Sequence, residues 1–397
     1  MQCQLLERIV MFNQSKRLTP RKKKRSGLRG ATGLLLAPAL LVPVFVGLAA
    51  AAPASAAPLA SAASVVAPTP TTPKITNYVP SMVAGTPYTF TYTADGFPAP
   101  TYTVDPGFGN GSTPPGTSLS SDGVLSGTPT TPGFYTYEVK ASNDAGSFER
   151  FDSLYVYAAP SVDGTPTEAT VGSGYDYGFT TGGYPAPSVA LSAGTLPTGL
   201  WFTGTNHITG TPAVAGQFPL TVTATFHSGW DGYTATDAQD TALTVNPATG
   251  GQAKVATPPA SLQPGAWEND SNIRVFGEKY NQVLASPLAV GGTTIPAGTK
   301  VNSYYVHADP VGNADTAHNY TGSISFGTKI LAVATSTAEL QATTPQFGVT
   351  GVTYSTSTDQ GLEYNDAATT GSTVGKVNLT FNVYNTADAI RIITLAP

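Results

Sequence analysis

Gly127-Thr128-Pro129 closes a short apolar stretch, Val124-Leu125-Ser126, and the same tripeptide returns 83 residues later as Gly210-Thr211-Pro212 after His207-Ile208-Thr209. Proline fixes φ and has no N–H to give to a ladder, so a strand has to end at Pro129 and again at Pro212. Gly133 and Gly216 then supply permissive backbone just before the next segment. That segment alternates. Tyr135, Tyr137, Val139 and Ala141 lie two apart with Thr136, Glu138 and Lys140 between them, and the second copy has Phe218, Leu220, Val222 and Ala224. Period two places each set on one face of a half-buried strand. A slip of one residue would turn that face to water, so the register is specified.

Working outward, the match extends. Gly96-Phe97-Pro98-Ala99-Pro100 recurs as Gly183-Tyr184-Pro185-Ala186-Pro187, and Gly85, Tyr88 and Tyr92 correspond to Gly172, Tyr175 and Phe179. The offset is 87 here and 83 at the tripeptide, so one loop of the second copy is four residues shorter. Each unit is a sandwich-sized module. The whole chain has 397 residues, 42 of them Gly and 33 Pro, with only 11% charged. That composition predicts an all-β, turn-rich protein and argues against long helices.

Pro114-Pro115-Gly116-Thr117-Ser118-Leu119, then Gly123 to Pro129 and Tyr135-Thr136-Tyr137-Glu138-Val139, resembles the bacterial repeat family called "putative Ig". Leu196-Pro197-Thr198-Gly199-Leu200 with Ile208 to Pro212 is the second instance. The family is similar to cadherin-like sandwiches, and the resemblance spans roughly residues 74–247. It implies two tandem Ig-like β-sandwiches in a secreted or surface protein, serving as spacer or adhesion modules.

The expected organisation is a signal peptide at 1–56, an Ala/Pro/Thr linker at 57–73, repeats at 74–159 and 160–247, a linker at 248–259 and a C-terminal domain at 260–397. The signal peptide is read from the basic run Lys16 to Arg29, the apolar run Leu34 to Ala52 and the small residues Ala54-Ser55-Ala56. The alternative is an uncleaved membrane anchor. Met11 is a second candidate start. Once the leader is cleaved, the chain is expected to be released or held non-covalently at the surface. Residues 260–397 do not repeat the pattern. Runs such as Ile273-Arg274-Val275-Phe276, Val301 to Val306, Val377 to Val383 and Ala389 to Ile393 predict a larger antiparallel sandwich or jelly roll.

Charge and cysteine narrow the function. Beyond residue 56 there are ten basic and twenty-three acidic residues, a net charge of −13, which disfavours nucleic acid as a partner. Cys3, the one cysteine, precedes the apolar run, so a mature chain has no thiol for catalysis, metal or disulfide. No Gly-x-Ser-x-Gly elbow accompanies His207, His227, His307 or His318.

Four kinds of site remain for weighing. Calcium suits an acidic extracellular sandwich, with Asp144 near one end of the first repeat and Asp231, Asp237 and Asp240 near the end of the second; the same residues also suit solvated turns. His307, Asp309, Asp315 and His318 offer a zinc-like set, against an ordinary loop after a strand. Glu268 and Asp270 beside Trp267 offer a carboxylate pair, against a polar loop leading into the third domain. For carbohydrate, Trp201, Trp230 and Trp267 are the candidate platforms; Trp230 and Tyr233 stand in an insertion that the first repeat lacks, Ser228 to Tyr233, and Trp267 stands in a polar segment. The reading is a non-catalytic adhesion or spacer protein, with a binder of wall or matrix polysaccharide as the alternative and a hydrolase in the last domain as the third option. The partners expected are a surface or wall polysaccharide or another surface protein.

Overall fold

The computed structural model describes residues 67–312, 317–384 and 386–397. The expected signal peptide, the linker residues 57–66 and Asp315 lie outside the described residues. Among those described, no helix is long and apolar enough to cross a membrane.

The first module is a sandwich. One sheet holds Met82–Val83, Gly146–Asp163, Gly133–Asn143 and Thr101–Asp105, and the other holds Tyr88–Thr91, Val124–Gly127 and Thr117–Leu119. Tyr137, Val139 and Ala141 are buried together with Leu125, Leu154 and Val156, and Tyr135 packs against them. A tyrosine hydroxyl in such a core needs a partner. The Tyr92 and Tyr137 hydroxyls are 3.1 Å apart, and Tyr92 donates to Asp152 Oδ2 at 2.7 Å. Arg150 Nε donates in turn to Asp152 Oδ1 at 2.9 Å.

The second module repeats the plan. Gly216–His227 lies between Thr234–Asn246 and Ser188–Gly194, facing a sheet of Tyr175–Gly178, His207–Gly210 and Leu200–Phe202. Phe218, Leu220, Val222 and Ala224 are all buried. In both modules a two-residue strand near the start runs parallel to the last strand: Met82 and Val83 with Val156 and Tyr157, Ala169 and Thr170 with Val245 and Asn246.

Gly-Thr-Pro does more than end a strand. Gly127 has φ +139° and Gly210 has φ +129°, values that a side chain strains. Thr128 N–H donates to Gly116 O at 2.9 Å, and Thr211 N–H to Gly199 O at 2.8 Å. Pro129 and Pro212 then accept from Gly85 and Gly172 at 2.8 and 2.9 Å. The tripeptide therefore ties two neighbouring turns to one strand end in each module.

No linker separates the modules. Gly146–Asp163 is a single strand of 18 residues. Up to Val156 it pairs with Gly133–Asn143 of the first module, and from Ala158 it pairs with Thr180–Tyr184 of the second. The linker expected at 248–259 is corrected in the same way. Ala248–Gly251 pairs antiparallel with His318–Ser325, and Ala253–Val255 pairs parallel with Ile273–Val283. The Gly and Ala content that suggests a tether serves close packing instead: a Cβ on Gly251 would sit 2.8 Å from the Thr321 carbonyl oxygen.

The C-terminal domain is a larger, mainly antiparallel sandwich. Four strands (Ala248–Gly251, His318–Ser325, Lys376–Val383, Ala367–Thr370) face five (Ala253–Val255, Ile273–Val283, Lys300–Ala308, Asp388–Leu395, Ile330–Ala334). Tyr304, Val306, Ile390 and Ile392 meet Tyr320, Ile324 and Phe381 between them. The five-stranded sheet is also covered on its other side. There Tyr305, Ala389 and Ile393 pack with Leu340 and Phe347 of a helix, Thr337–Phe347, and with Val290 and Ile295 of a hairpin. Burial on both faces explains why Lys300–Ala308 is buried at nearly every position instead of alternating. The 11-residue helix begins at a capping box in which Ser336 and Glu339 satisfy each other's backbone N–H groups.

Three buried ionisable groups stand out in this domain. Arg391 forms a bidentate pair with Glu278, Nε to Oε2 at 2.7 Å and Nη2 to Oε1 at 2.8 Å. Its Nη1 donates to Leu340 O at 2.9 Å and to Thr343 Oγ1, so the guanidinium also holds the helix. Asp388 is 2% exposed and hydrogen-bonds Asp366. Burial first, then the charges of Asp366 and Glu363, push its pKa from 3.8 up to about 8. Folded Asp388 thus keeps its proton between pH 4 and 8, where the unfolded carboxyl is ionised. Stability from this group is full below about pH 4 and declines by up to about 1.4 kcal/mol per pH unit until pH 8. Urea midpoints of the C-terminal domain at pH 5 and pH 8 should therefore differ, and Asp388→Asn should shrink that difference. An unchanged difference in the variant contradicts the assignment.

Candidate functional site

Strands Gly216–His227 and Thr234–Asn246 are joined by Ser228-Gly229-Trp230-Asp231-Gly232-Tyr233, where the first module has the tight turn Asn143 to Gly146. Short local bonds close the longer loop. Ser228 N–H donates to Tyr233 O at 2.7 Å, Tyr233 N–H to Asp231 Oδ1 at 3.1 Å, and Trp230 N–H to Ser228 Oγ at 3.2 Å. The loop docks on the first module. The Tyr157 hydroxyl lies 2.9 Å from Ser228 Oγ and 3.1 Å from both carboxylate oxygens of Asp231. Burial opposes the Asp231 charge, but hydrogen bonds from Ser228, Ser81, the Tyr233 amide and Tyr157 outweigh it and hold the carboxyl below its ordinary range.

Rings continue the contact. Tyr233 stacks on Tyr157 at 4.5 Å and 5°, Tyr157 on Tyr155 at 5.5 Å and 7°, and Tyr155 meets Phe134 at 4.9 Å. Tyr233, expected as a ligand contact, is thus a joint between modules: one of its faces is taken by Tyr157. Trp230 is different. It is 89% exposed, and with Ser81, Phe134, Ser153, Leu154 and Tyr155 it lines an open cleft of about 390 Å³. No lining residue carries a charge. The cleft opens onto the outer face of the first module's sheet. There Phe134 lies opposite Tyr155, Thr136 opposite Ser153 and Glu138 opposite Phe151. Phe108 leans edge-on against Phe151 at 5.7 Å, and both rings are about half exposed.

Sequence reasoning missed Phe134, Tyr155, Phe151 and Phe108. A signal was available. Phe134 is out of phase with Tyr135, Tyr137 and Val139, and Phe151 and Tyr155 are out of phase with the buried Leu154 and Val156. An aromatic on the polar phase of a strand points at solvent.

The other expected sites fall apart in space. Trp267 is half-buried against the second core of the C-terminal domain, stacks on His307 at 5.7 Å and has the Arg274 guanidinium 4.4 Å over its ring, so it is no open sugar platform. Glu268 Oε1 and Asp270 Oδ1 accept the backbone N–H groups of Gly312 and Val311 at 2.9 and 2.7 Å, which makes them staples of a turn. His307 is buried 3.7 Å from Asp309, while His318 is partly exposed 3.7 Å from Asp270. The calcium candidates are dispersed. Asp144 sits in the turn between Asn143 and Gly146, and Gly146 is eleven residues along one strand from Tyr157, which puts Asp144 roughly 35 Å from Asp231. Asp237 accepts Val162 N–H at 2.9 Å, and Asp240 accepts the Thr221 hydroxyl at 2.7 Å from the other face of the same strand. Among the described residues no group of three or more His, Cys, Asp or Glu could hold a metal ion.

Residues 65–158 and 155–246 each match the family model described as "Putative Ig domain". No curated protein matches the sequence. Among solved structures the chain is similar to extracellular domains 3–5 of Drosophila OTK, at 15% identity over 44% of this chain and 61% of that one, with a TM-score of 0.32. It is similar to the insect immune protein hemolin at 19% identity, over 46% and 49% of the two chains, TM-score 0.32. For the titin I-band fragment I67–I69 the values are 17%, 65% and 94%, with a TM-score of 0.30. The chain thus spans about three-fifths of the OTK fragment and about half of hemolin.

Proposed function

Since residues 65–246 are two tandem domains of that family, we propose that the protein is a non-catalytic extracellular spacer with an adhesive face, and that its stiff Ig-like pair carries the C-terminal sandwich. The carrying observation is the strand Gly146–Asp163, which belongs to both modules. A shared strand leaves no free dihedrals to act as a hinge, unlike a Gly/Ser linker. The stack Tyr233–Tyr157–Tyr155 and the Tyr157–Asp231 hydrogen bonds brace the same joint. At the far end, Thr234–Asn246 reaches the C-terminal domain after Pro247 alone, and Asn281 Nδ2 donates to Gln217 O at 2.6 Å across that second joint. The expected leader at 1–56 supports an extracellular location.

X-ray scattering tests the stiffness. The full chain should give one narrow distribution of maximum dimension, and inserting Gly-Ser-Gly-Ser between Ala158 and Ala159 should broaden it. A native distribution as broad as that of the insertion variant would sink the spacer reading.

Carbohydrate binding is a second reading, favoured by the exposed Trp230 over an uncharged aromatic cleft.

A further inference from the structure

The geometry points to a neutral, β-linked polysaccharide as the ligand of the Trp230 cleft, with the chain running from the cleft along the outer sheet face of the first module. This inference rests on the carbohydrate reading of the Trp230 cleft and on the contact at Tyr157 that brings Trp230 to it, though not on the stiffness of the whole chain.

Three features select the ligand class. The first is the lining. The exposed rings of Trp230 and Phe134 and the half-buried ring of Tyr155 line the cleft together with Ser81 and Ser153. A pyranose with equatorial substituents presents C–H faces to rings and a rim of hydroxyls to serines, so both kinds of lining find partners on one ligand. The second is length. On the Gly146–Asp163 strand, outward residues Phe151, Ser153 and Tyr155 succeed one another every ~6.7 Å, giving an aromatic–hydroxyl–aromatic row that leads into the cleft. A straight row suits an extended, β-linked polymer better than a single sugar or a coiled α-linked chain. The third is charge. The cleft lining is uncharged; among the described residues along the row the one unpaired charge is Glu138, opposite Phe151, which disfavours an anionic chain, and beyond it Lys140 Nζ pairs with Glu149 Oε1 at 2.6 Å. With a net charge of −13 beyond residue 56, the body repels acidic polymers.

The cleft volume, about 390 Å³, lies at the low end of ligand sites. Its geometry depends on the joint, since Trp230 comes from the second module and the other lining residues from the first. The loop that carries Trp230 is held by Tyr157, so the indole meets the cleft in a fixed position.

Affinity electrophoresis of the full chain through gels containing hydroxyethyl cellulose, soluble starch or polygalacturonate tests the inference. Retardation by the β-linked glucan is expected, with little by the α-linked or the anionic polymer. Trp230→Ala and Phe134→Ala should each weaken it at least tenfold. Both side chains are at least half exposed, so both variants should keep their melting temperature. Trp201→Ala, also exposed but on the second module away from the cleft, should leave retardation unchanged. The proposal is overturned by no retardation in hydroxyethyl cellulose, by retardation that survives in both cleft variants, or by equal or stronger retardation in starch or polygalacturonate. Failure here with narrow scattering leaves the spacer reading intact, and broad scattering with specific retardation does the reverse.

Discussion

Arg391→Met is expected to destabilise the C-terminal domain by about 3–5 kcal/mol, because it strands a carboxylate in a dry core. Glu278 and Arg391 have fully buried side chains, and the pair supplies two charge-assisted bonds. Ser303 and Tyr354 hydroxyls also donate to Glu278, at 2.7 Å each, so the carboxylate is satisfied only while all partners are present. On the other side, Arg391 caps Leu340 O and the Thr343 hydroxyl, so its loss also loosens the helix Thr337–Phe347 from the sheet. Removing both charges should hurt less: Glu278→Leu with Arg391→Met is expected to recover more than half of the loss. The measurement is urea unfolding in a Trp201→Phe, Trp230→Phe background, where Trp267 is the one remaining tryptophan and reports this domain. A single variant costing under ~1 kcal/mol, or a double variant as damaging as the single, would contradict this account.

The second large effect lies in the first module. Gly127→Ala is expected to cost about 3 kcal/mol or more, the sum of left-handed strain and a collision with backbone. Its Cβ would stand 2.1 Å from Gly116 O, and that oxygen is already held by Thr128 N–H, so it has nowhere to retreat. Gly210→Ala should do the same to the second module, with 2.2 Å to Gly199 O. Gly85→Ala is the control. It has φ +75° but nothing within 4 Å of the added carbon, so only the ~1 kcal/mol conformational term remains. Hydrogen exchange of the Gly133–Asn143 amides reads the difference, and equal loss of protection in Gly127→Ala and Gly85→Ala would refute the collision argument.

How much of this was legible in the sequence depends on period and on distance. The phase of Tyr137, Val139 and Ala141 named a buried face, and the structure buries them. The reason for Gly127 was hidden, because the crowding comes from Gly116, a contact across a turn and not along a strand. In the C-terminal domain the strand runs were readable, yet the second cover of the five-stranded sheet was not. Double burial erases alternation, and the 11-residue helix announces itself only through Ser336-Thr337-Ala338-Glu339. The linker expected at 248–259 failed because small residues mean either slack or close packing, and composition does not distinguish them. For the site, Trp230 was visible as an aromatic in an insertion. Its companions Phe134 and Tyr155 are marked only by phase, each standing on the face opposite to the buried residues beside it. Tyr233 looked equally free, and only the facing Tyr157 shows that it is occupied.

The strand Gly146–Asp163 has a mechanical side as well. Tension carried through the two modules passes along one covalent backbone, with no slack segment to straighten first. In each module the last strand lies parallel to a short early one, Met82–Val83 or Ala169–Thr170, so a pull along the strands loads those bonds together in shear and does not unzip them singly. A tether of this kind holds its length under load until a whole module gives way.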